Sequence, residues 1–298
     1  MIKNISIIGG GEIGQAIAYI ASGSGINTLI WDKNPAKSSA LSLEECLKKA
    51  EVVFFCVPSW ALRECLISIA PILPPNIPAV FVSKGLEKDT GLTAPEIAEE
   101  FLSANRIVFM GGPMIAEEII ANKGGMAVFG GHSATASMAA TVFNSRSVYS
   151  EITTDAFSVA ILGVLKNMYS IVMGAVEGAG YGDNIKSFLF SKIMREMELA
   201  RIALKGKESA VSPAGAGDLL ATSISRGSHH RQTGYALALG EPLINQSEGA
   251  TSISALIARI ANSLSVADVK KFSILFFVKS IIDEGAINPE NWNKILND

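Results

Sequence analysis

Gly9, Gly11 and Gly14 form a GxGxxG turn directly after the apolar, β-branched run 5–8 and directly before a stretch of helical spacing at 13–23. At such a junction the first glycine permits a tight turn, the second lets a pyrophosphate reach the backbone, and the third lets helix and strand approach. An anion placed there sits on a helix N-terminus, where free amides and the helix dipole favour it. Asp32 stands 18 residues past Gly14, at the end of the next apolar run, 28–31. A carboxylate there accepts hydrogen bonds from ribose hydroxyls and repels a 2′-phosphate, which points to NAD. Lys33 beside it suits that phosphate instead, so NADP stays open. The competing reading is a glycine-rich turn without ligand, and the flanking strand, helix and acidic residue weigh against it.

The pattern continues through the first half. Runs at 52–57, 79–83, 107–110 and 126–129 are strand-length and rich in Val, Ile and Phe, as strands buried on both faces should be. Helical stretches at 43–49, 60–70 and 94–102 separate them. This alternation predicts a doubly wound parallel sheet with helices on both faces. After about residue 150 the spacing becomes helical, at 155–174, 186–204, 231–239, 251–262 and 266–282. We expect an α/β chain of two domains: a Rossmann-like doubly wound sheet at 1–150 and an all-helical domain at 151–298, with a cleft at their interface. A length of 298 residues fits two domains better than one.

Composition excludes several functions. At 49% hydrophobic and 18% charged residues, the chain is too apolar to be natively disordered. Twenty-five Lys and Arg against 28 Asp and Glu give a net charge of −3 with no long run of one sign, which argues against a nucleic-acid partner. The apolar runs, such as 273–282, fall short of the roughly 20 residues that span a bilayer, so no membrane span is expected. The N-terminus reads as a strand, without the basic and apolar regions of a signal peptide. Cys46, Cys56 and Cys65 form no CxxC, and His132, His229 and His230 complete no metal-ligand spacing with them. Unpaired thiols in a reducing cytoplasm, and no metal, are the expectation.

Four segments carry candidate chemistry. Lys84 follows the 79–83 strand and precedes Gly85, on the sheet edge where open α/β sheets bind ligands, although a solvated loop lysine has the same spacing. Lys166 lies in an otherwise apolar helical stretch between Leu165 and Met168. Burial there lowers a lysine pKa towards the range useful for proton transfer, while a lysine on an exposed stripe reaches water instead. Asp218 and Thr222 are four residues apart, on one face of any helix starting after Gly217, where Asp218 also fits a plain N-terminal cap. The run Ser228-His229-His230-Arg231 offers cationic groups to an anion, or is a surface loop.

Taken in order, GGGEIGQAIA from Gly9, VPS at Val57, SKGLEKDTG at Ser83, GGPMIAEE at Gly111, GVLKNM at Gly163, EGAGYGDNIKSFL at Glu177, AGAGDLLAT at Ala214, SHHRQTG at Ser228 and SEGATS at Ser247 resemble the NAD(P)-dependent glycerol-3-phosphate dehydrogenases. The resemblance runs along nearly the whole chain. It implies hydride transfer between the nicotinamide and the C2 carbon of dihydroxyacetone phosphate or glycerol 3-phosphate. It makes Lys166 the general acid and base, Lys84 the residue that polarises and orients the carbonyl, and Asn167, Asp218 and Thr222 their supports. Cofactor contacts are implied at Gly9, Gly11, Glu12, Ile13, Gly14, Asp32, Lys33, Pro58, Lys84, Ala116 and Glu248. Substrate contacts are implied at Lys84, Lys166, Asp218, His229, His230 and Arg231. A homodimer and a place in glycerophospholipid synthesis follow by the same resemblance.

Three departures concern substrate choice. His229 and His230 stand where the family has an Arg and an Asn that grip the phosphate, with Arg231 kept. Gly111 and Met114 replace a Ser and a small polar residue. Only 19 residues separate Asp32 from Val52, fewer than the family usually has. The alternatives are a related dehydrogenase for another small hydroxy or keto substrate, including a β-hydroxyacid dehydrogenase with one catalytic lysine, and a catalytically idle dinucleotide-binding paralogue.

Overall fold

The computed structural model describes residues 2–143, 148–241 and 248–297. The chain divides into two compact units, 1–84 with 92–160, and 85–91 with 161–298.

In the first unit, seven strands among the described residues form one sheet: β1 (Asn4–Ile8), β2 (Asn27–Trp31), β3 (Val52–Phe55), β4 (Ala79–Phe81), β5 (Ile107–Gly111), β6 (Gly125–Gly131) and β7 (Val148–Thr153). Their order is β2-β1-β3-β4-β5-β6-β7. The sheet reverses direction of travel between β1 and β3, and ligands bind at the carboxyl ends of strands on either side of such a point. Helices α1 (Glu12–Gly23), α2 (Leu43–Leu47), α3 (Ser59–Ile69), α4 (Ala94–Glu99), α5 (Ala116–Ile120) and α6 (Ser133–Ala140) connect the strands. Strand side chains alternate between two buried faces. Ile5, Ile7, Val52, Phe54, Val80, Val108 and Phe129 join Ile17, Ile20 and Phe143 in one cluster. On the other face Phe55 stacks on Phe81 at 4.8 Å.

Two strand expectations need correction. The sheet is mixed: β6 runs antiparallel to β5, with Gly111 opposite Val128, while β7 is parallel to β6. From the carboxyl end of β5 the chain enters β6 at the same edge, through the single turn of α5, so no crossover restores the parallel sense. β7 lies outside the strands that the sequence pattern predicts. It is an edge strand with Tyr149 and Ile152 exposed, so it lacks the apolar run that marks a two-sided buried strand.

Helix α7 (Ala156–Gly178) carries the chain across the boundary between the units, and the second unit continues with α8 (Asp183–Ala203), α9 (Asp218–Ile224), α10 (His229–Ala238), α11 (Glu248–Ser263), α12 (Val266–Val269), α13 (Ser273–Glu284) and α14 (Pro289–Leu296). Its 23 residues make α7 long and apolar enough to cross a membrane by length and composition alone, which corrects the run-length argument but not the reading drawn from it. It is buried inside the protein along nearly its whole length, as a helix apolar on all sides must be. Leu189, Ile193 and Met197 of α8, Ile253, Leu256 and Ile260 of α11, and Leu275, Val278 and Ile281 of α13 are buried apolar residues of the same unit. α10 approaches α7 closely: a Cβ on Gly174 would lie 1.9 Å from the Arg231 carbonyl, and one on Gly234 would lie 1.8 Å from that of Ile171.

The single helix expected at 266–282 is two. Glu196, buried in α8, accepts the Ile274 amide at 2.9 Å and the Leu275 amide at 2.7 Å, and so caps a fresh helix start. Tyr169 of α7 donates its hydroxyl to the same carboxylate at 3.2 Å.

Candidate active site

The dinucleotide turn is built as its spacing requires. Gly9 has φ +105°, and a Cβ there would lie 2.5 Å from the Cys56 carbonyl oxygen. A Cβ on Gly14 would lie 2.2 Å from the Gly9 carbonyl oxygen, so α1 rests on the turn itself. At Gly11, by contrast, a Cβ would meet nothing within 4 Å. Gly11 is also the N-cap of α1 and offers no side chain to its first amides. Open space over uncapped amides fits a dinucleotide pyrophosphate. The Asp32 carboxylate accepts the Gly10 amide at 2.7 Å and the Asn34 amide at 2.8 Å. Those bonds fix it beside the turn and use two of its roughly four acceptor sites, which leaves it able to take ribose hydroxyls.

The other cofactor candidates fall along the same carboxyl edge. Pro58 is the N-cap of α3, after β3, and Ala116 opens α5, after β5. Glu12 and Ile13 form the first turn of α1, and Lys33 is exposed beyond β2. Lys84, after β4, donates from Nζ to the Gly112 carbonyl at 3.1 Å, so it is held rather than left in a solvated loop. Ser83 before it donates to the Val57 carbonyl at 3.0 Å. At Gly111 a Cβ would lie 2.6 Å from Val159 Cγ1, so a side chain there requires Val159 to shift. Met114 packs against the sheet core. Glu248 opens α11, but its side chain lies outside the described residues, as does Ser247.

The helical unit holds the second cluster. Lys166, only 7% exposed, donates from Nζ to Thr222 Oγ1 at 2.8 Å and pairs with Asp218 Oδ1 at 3.2 Å. Thr222 also donates to Asp218, at 3.4 Å. The four-residue spacing thus puts carboxylate and hydroxyl on one face of α9, aimed at α7. Asp218 is the first residue of α9 and Gly217 the cap, so the plain N-cap reading gives way to an ion pair. A π turn, Pro213–Gly217, leads into it, with Ser212 capping the Gly215 amide. Asn167 is buried next to Lys166, and Ser170 donates to the Lys166 carbonyl at 2.7 Å. A buried ammonium held by a carboxylate and a hydroxyl is suited to giving or taking one proton at a fixed point.

The cationic run at the start of α10 is less available than its sequence suggests. Arg231 donates from Nε and Nη2 to the two oxygens of Glu177, at 3.0 and 2.5 Å. This bidentate pair already matches its charge. His229 is exposed and His230 partly buried in the first turn of α10. Glu177 carries no local signal of this role, because a pairing across 54 positions leaves none in the spacing.

Burial pushes the Cys65 thiol up to about 12, even with Lys33 nearby, and the Cys46 thiol up to about 11. Neither is a nucleophile near neutral pH. Among the described residues no group of His, Cys, Asp or Glu is placed to hold a metal ion.

Comparison with known proteins bears on both clusters. Residues 155–292 match the family described as NAD-dependent glycerol-3-phosphate dehydrogenase C-terminus, and residues 38–137 match the corresponding N-terminus. Residues 2–69 also match the NAD binding domain of D-isomer specific 2-hydroxyacid dehydrogenases. A glycerol-3-phosphate dehydrogenase (NAD(P)+) from Teredinibacter turnerae is 31% identical, over 80% of this chain and 78% of its own. A second, from Lactobacillus delbrueckii, is 27% identical over 99% and 97%. Among solved structures, the glycerol-3-phosphate dehydrogenase of Coxiella burnetii superimposes with a TM-score of 0.86 at 21% identity, covering 99% of this chain and 98% of that one. That of Saccharomyces cerevisiae gives 0.81 at 15% identity, with all of both chains covered. At those identities the structural likeness is one of fold.

Proposed function

The chain belongs to the NAD(P)-dependent glycerol-3-phosphate dehydrogenase family, and we propose that it reduces dihydroxyacetone phosphate to glycerol 3-phosphate with Lys166 as the proton donor. It is thus an NAD(P)-dependent oxidoreductase acting on CH–OH groups. The observation that carries the assignment of Lys166 is its ammonium, buried in an apolar helix and held between Thr222 and Asp218.

When bound, the nicotinamide supplies or accepts the hydride. The chain supplies the rest. Gly9, Gly11 and Gly14 with the first turn of α1 seat the pyrophosphate, and Asp32 takes the ribose hydroxyls, which supports NAD over NADP. Lys84 orients the carbonyl and draws charge onto its oxygen. Lys166 gives that oxygen a proton in reduction and takes it back in oxidation. Asp218 and Thr222 fix where the ammonium sits and compensate its charge, and Asn167 supports the same turn of α7. His229 and His230 are assigned to the substrate phosphate.

The test is loss of absorbance at 340 nm when dihydroxyacetone phosphate is added to protein with NADH, and separately with NADPH. Turnover should saturate in substrate, and Lys166→Ala should lose at least roughly a hundredfold in kcat, within the range general acids contribute. It should still bind NADH. Equal turnover in Lys166→Ala would remove the proton-transfer role. A second reading, another small hydroxy or keto substrate, is favoured by the Arg231–Glu177 pair, which draws one cation away from a phosphate. Saturable turnover of an unphosphorylated keto acid, with none of dihydroxyacetone phosphate, would select it. The three unpaired thiols support a reducing compartment, the cytoplasm. The homodimer rests on family likeness alone, and sedimentation tests it.

A further inference from the structure

The seven residues that follow Lys84 pack with the helical unit. Two side chains of α11 hold them there. The Leu86 amide donates to Ser252 Oγ at 2.9 Å, and both residues are buried, at 4% and 1% exposure. At the far end of the segment, Arg259 Nη1 donates to the Gly91 carbonyl at 2.8 Å. Ser252 and Arg259 are seven residues apart, two helical turns, so one face of α11 grips both ends of the segment.

Leu86 is two peptide units from Lys84, and a fixed amide at that distance restricts the path of the Lys84 backbone. The Lys84 ammonium is meanwhile tied to the Gly112 carbonyl. We propose that Ser252 is a positioning residue for Lys84, with Arg259 as the second point of the same clamp. This rests on the reading that Lys84 orients the substrate carbonyl. Ser252 acts through the Leu86 amide rather than by contact with substrate or cofactor. A serine in this place satisfies a buried donor that alanine would leave unpaired, and the segment would shift to reach another acceptor. Displacement of a reacting group by a fraction of an ångström is enough to slow the chemical step.

The experiment uses the full chain with Ser252→Ala and Ser252→Thr, measured by NADH titration and by initial rates over a range of dihydroxyacetone phosphate. Ser252→Ala should lose roughly tenfold in kcat/KM for the substrate, as expected for a misplaced catalytic group. The NADH affinity and the number of NADH sites per chain should stay as in the parent. Ser252→Thr keeps the acceptor and should recover most of the loss. In a Lys84→Arg background, which already has the wrong head group, Ser252→Ala should cost less than about twofold, because the two changes act on one feature. An equal factor in both backgrounds, or fewer NADH sites with KM unchanged, would make Ser252 a structural support only and overturn the proposal. If Ser252→Ala gives no soluble protein, Arg259→Gln takes its place, with a smaller loss of the same kind judged by the same cycle. Full turnover in Lys84→Ala is a distinct outcome: it would overturn the reading of Lys84, and the proposal with it.

Discussion

At the scale of single residues, the decisive feature is the charge that α7 carries into an apolar interior. Lys166 and Asp218 expose 9% and 4% of their side chains, so neither has water to fall back on. Removing one partner of such a pair leaves a buried charge uncompensated, a loss of about 3–5 kcal/mol. Asp218→Asn keeps the shape and a hydrogen-bonding oxygen, which places it at the lower end, about 3 kcal/mol, in urea unfolding. Turnover should fall in parallel while NADH binding persists, because the dinucleotide turn is untouched. A change in unfolding free energy below roughly 1 kcal/mol would mean that the ion pair adds little beyond what Thr222 provides. Lys166 was legible because one cation in a run of Val, Leu, Met and Ile has no ordinary place there. Asp218 and Thr222 were legible as a pair through their four-residue spacing. Glu177 and Ser252 were not, since their partners lie 54 and 166 positions away and nothing in a local window marks a serine or glutamate as engaged.

At the scale of elements, the buried strands announced themselves and the exposed one did not. β1, β3, β4 and β5 are buried on both faces, so short apolar runs mark them, and the edge strand β2 is marked by Leu29, Ile30 and Trp31, whereas β7 shows Tyr149, Ser150, Glu151 and Ile152 to solvent. The sense of β6 was invisible for another reason: strand direction depends on the edge at which the chain enters, and composition carries no record of it. The break before α13 was hidden because its cap comes from α8, in Glu196. Burial pushes that carboxyl up to about 7, against the pull of the Ile274 and Leu275 amides, the Tyr169 hydroxyl and Lys192. Its ordinary value is 4.5, so the folded state holds this proton more tightly than the unfolded chain. The resulting stability is fully present below pH 4.5 and is lost as pH rises to about 7. In Glu196→Gln that loss should vanish. Relative to the parent, the variant should look less stable at pH 5 than at pH 7.5, by thermal unfolding at both. A difference independent of pH would mean that Glu196 stays ionised throughout the window.

At the scale of the whole molecule, what the cofactor does to stability separates the work of the two units. The glycine turn proposed to seat it belongs to the sheet-bearing unit, and Lys166 to the helical one. A ligand that binds only the folded state stabilises it by about 2.7 kcal/mol at a hundredfold excess over Kd. For a chain of this size that is a rise of several degrees in the unfolding midpoint. Trp31 ends β2, and its carbonyl accepts the Gly9 amide at 2.8 Å, so the turn is tied to the neighbouring strand and its loss is felt by the sheet. NADH should therefore raise the midpoint of the parent and of Lys166→Ala alike. Gly14→Ala should lose the rise, because its Cβ would meet the Gly9 carbonyl at 2.2 Å and displace the turn. That backbone cannot swing aside as a flexible side chain does, so the shift is transmitted to the amides that would hold the pyrophosphate. A Gly14→Ala protein that folds and keeps the full rise would show that the cofactor's grip comes from elsewhere along the carboxyl edge. A Lys166→Ala protein that loses it would mean that α7 contributes to seating the cofactor as well as to moving the proton.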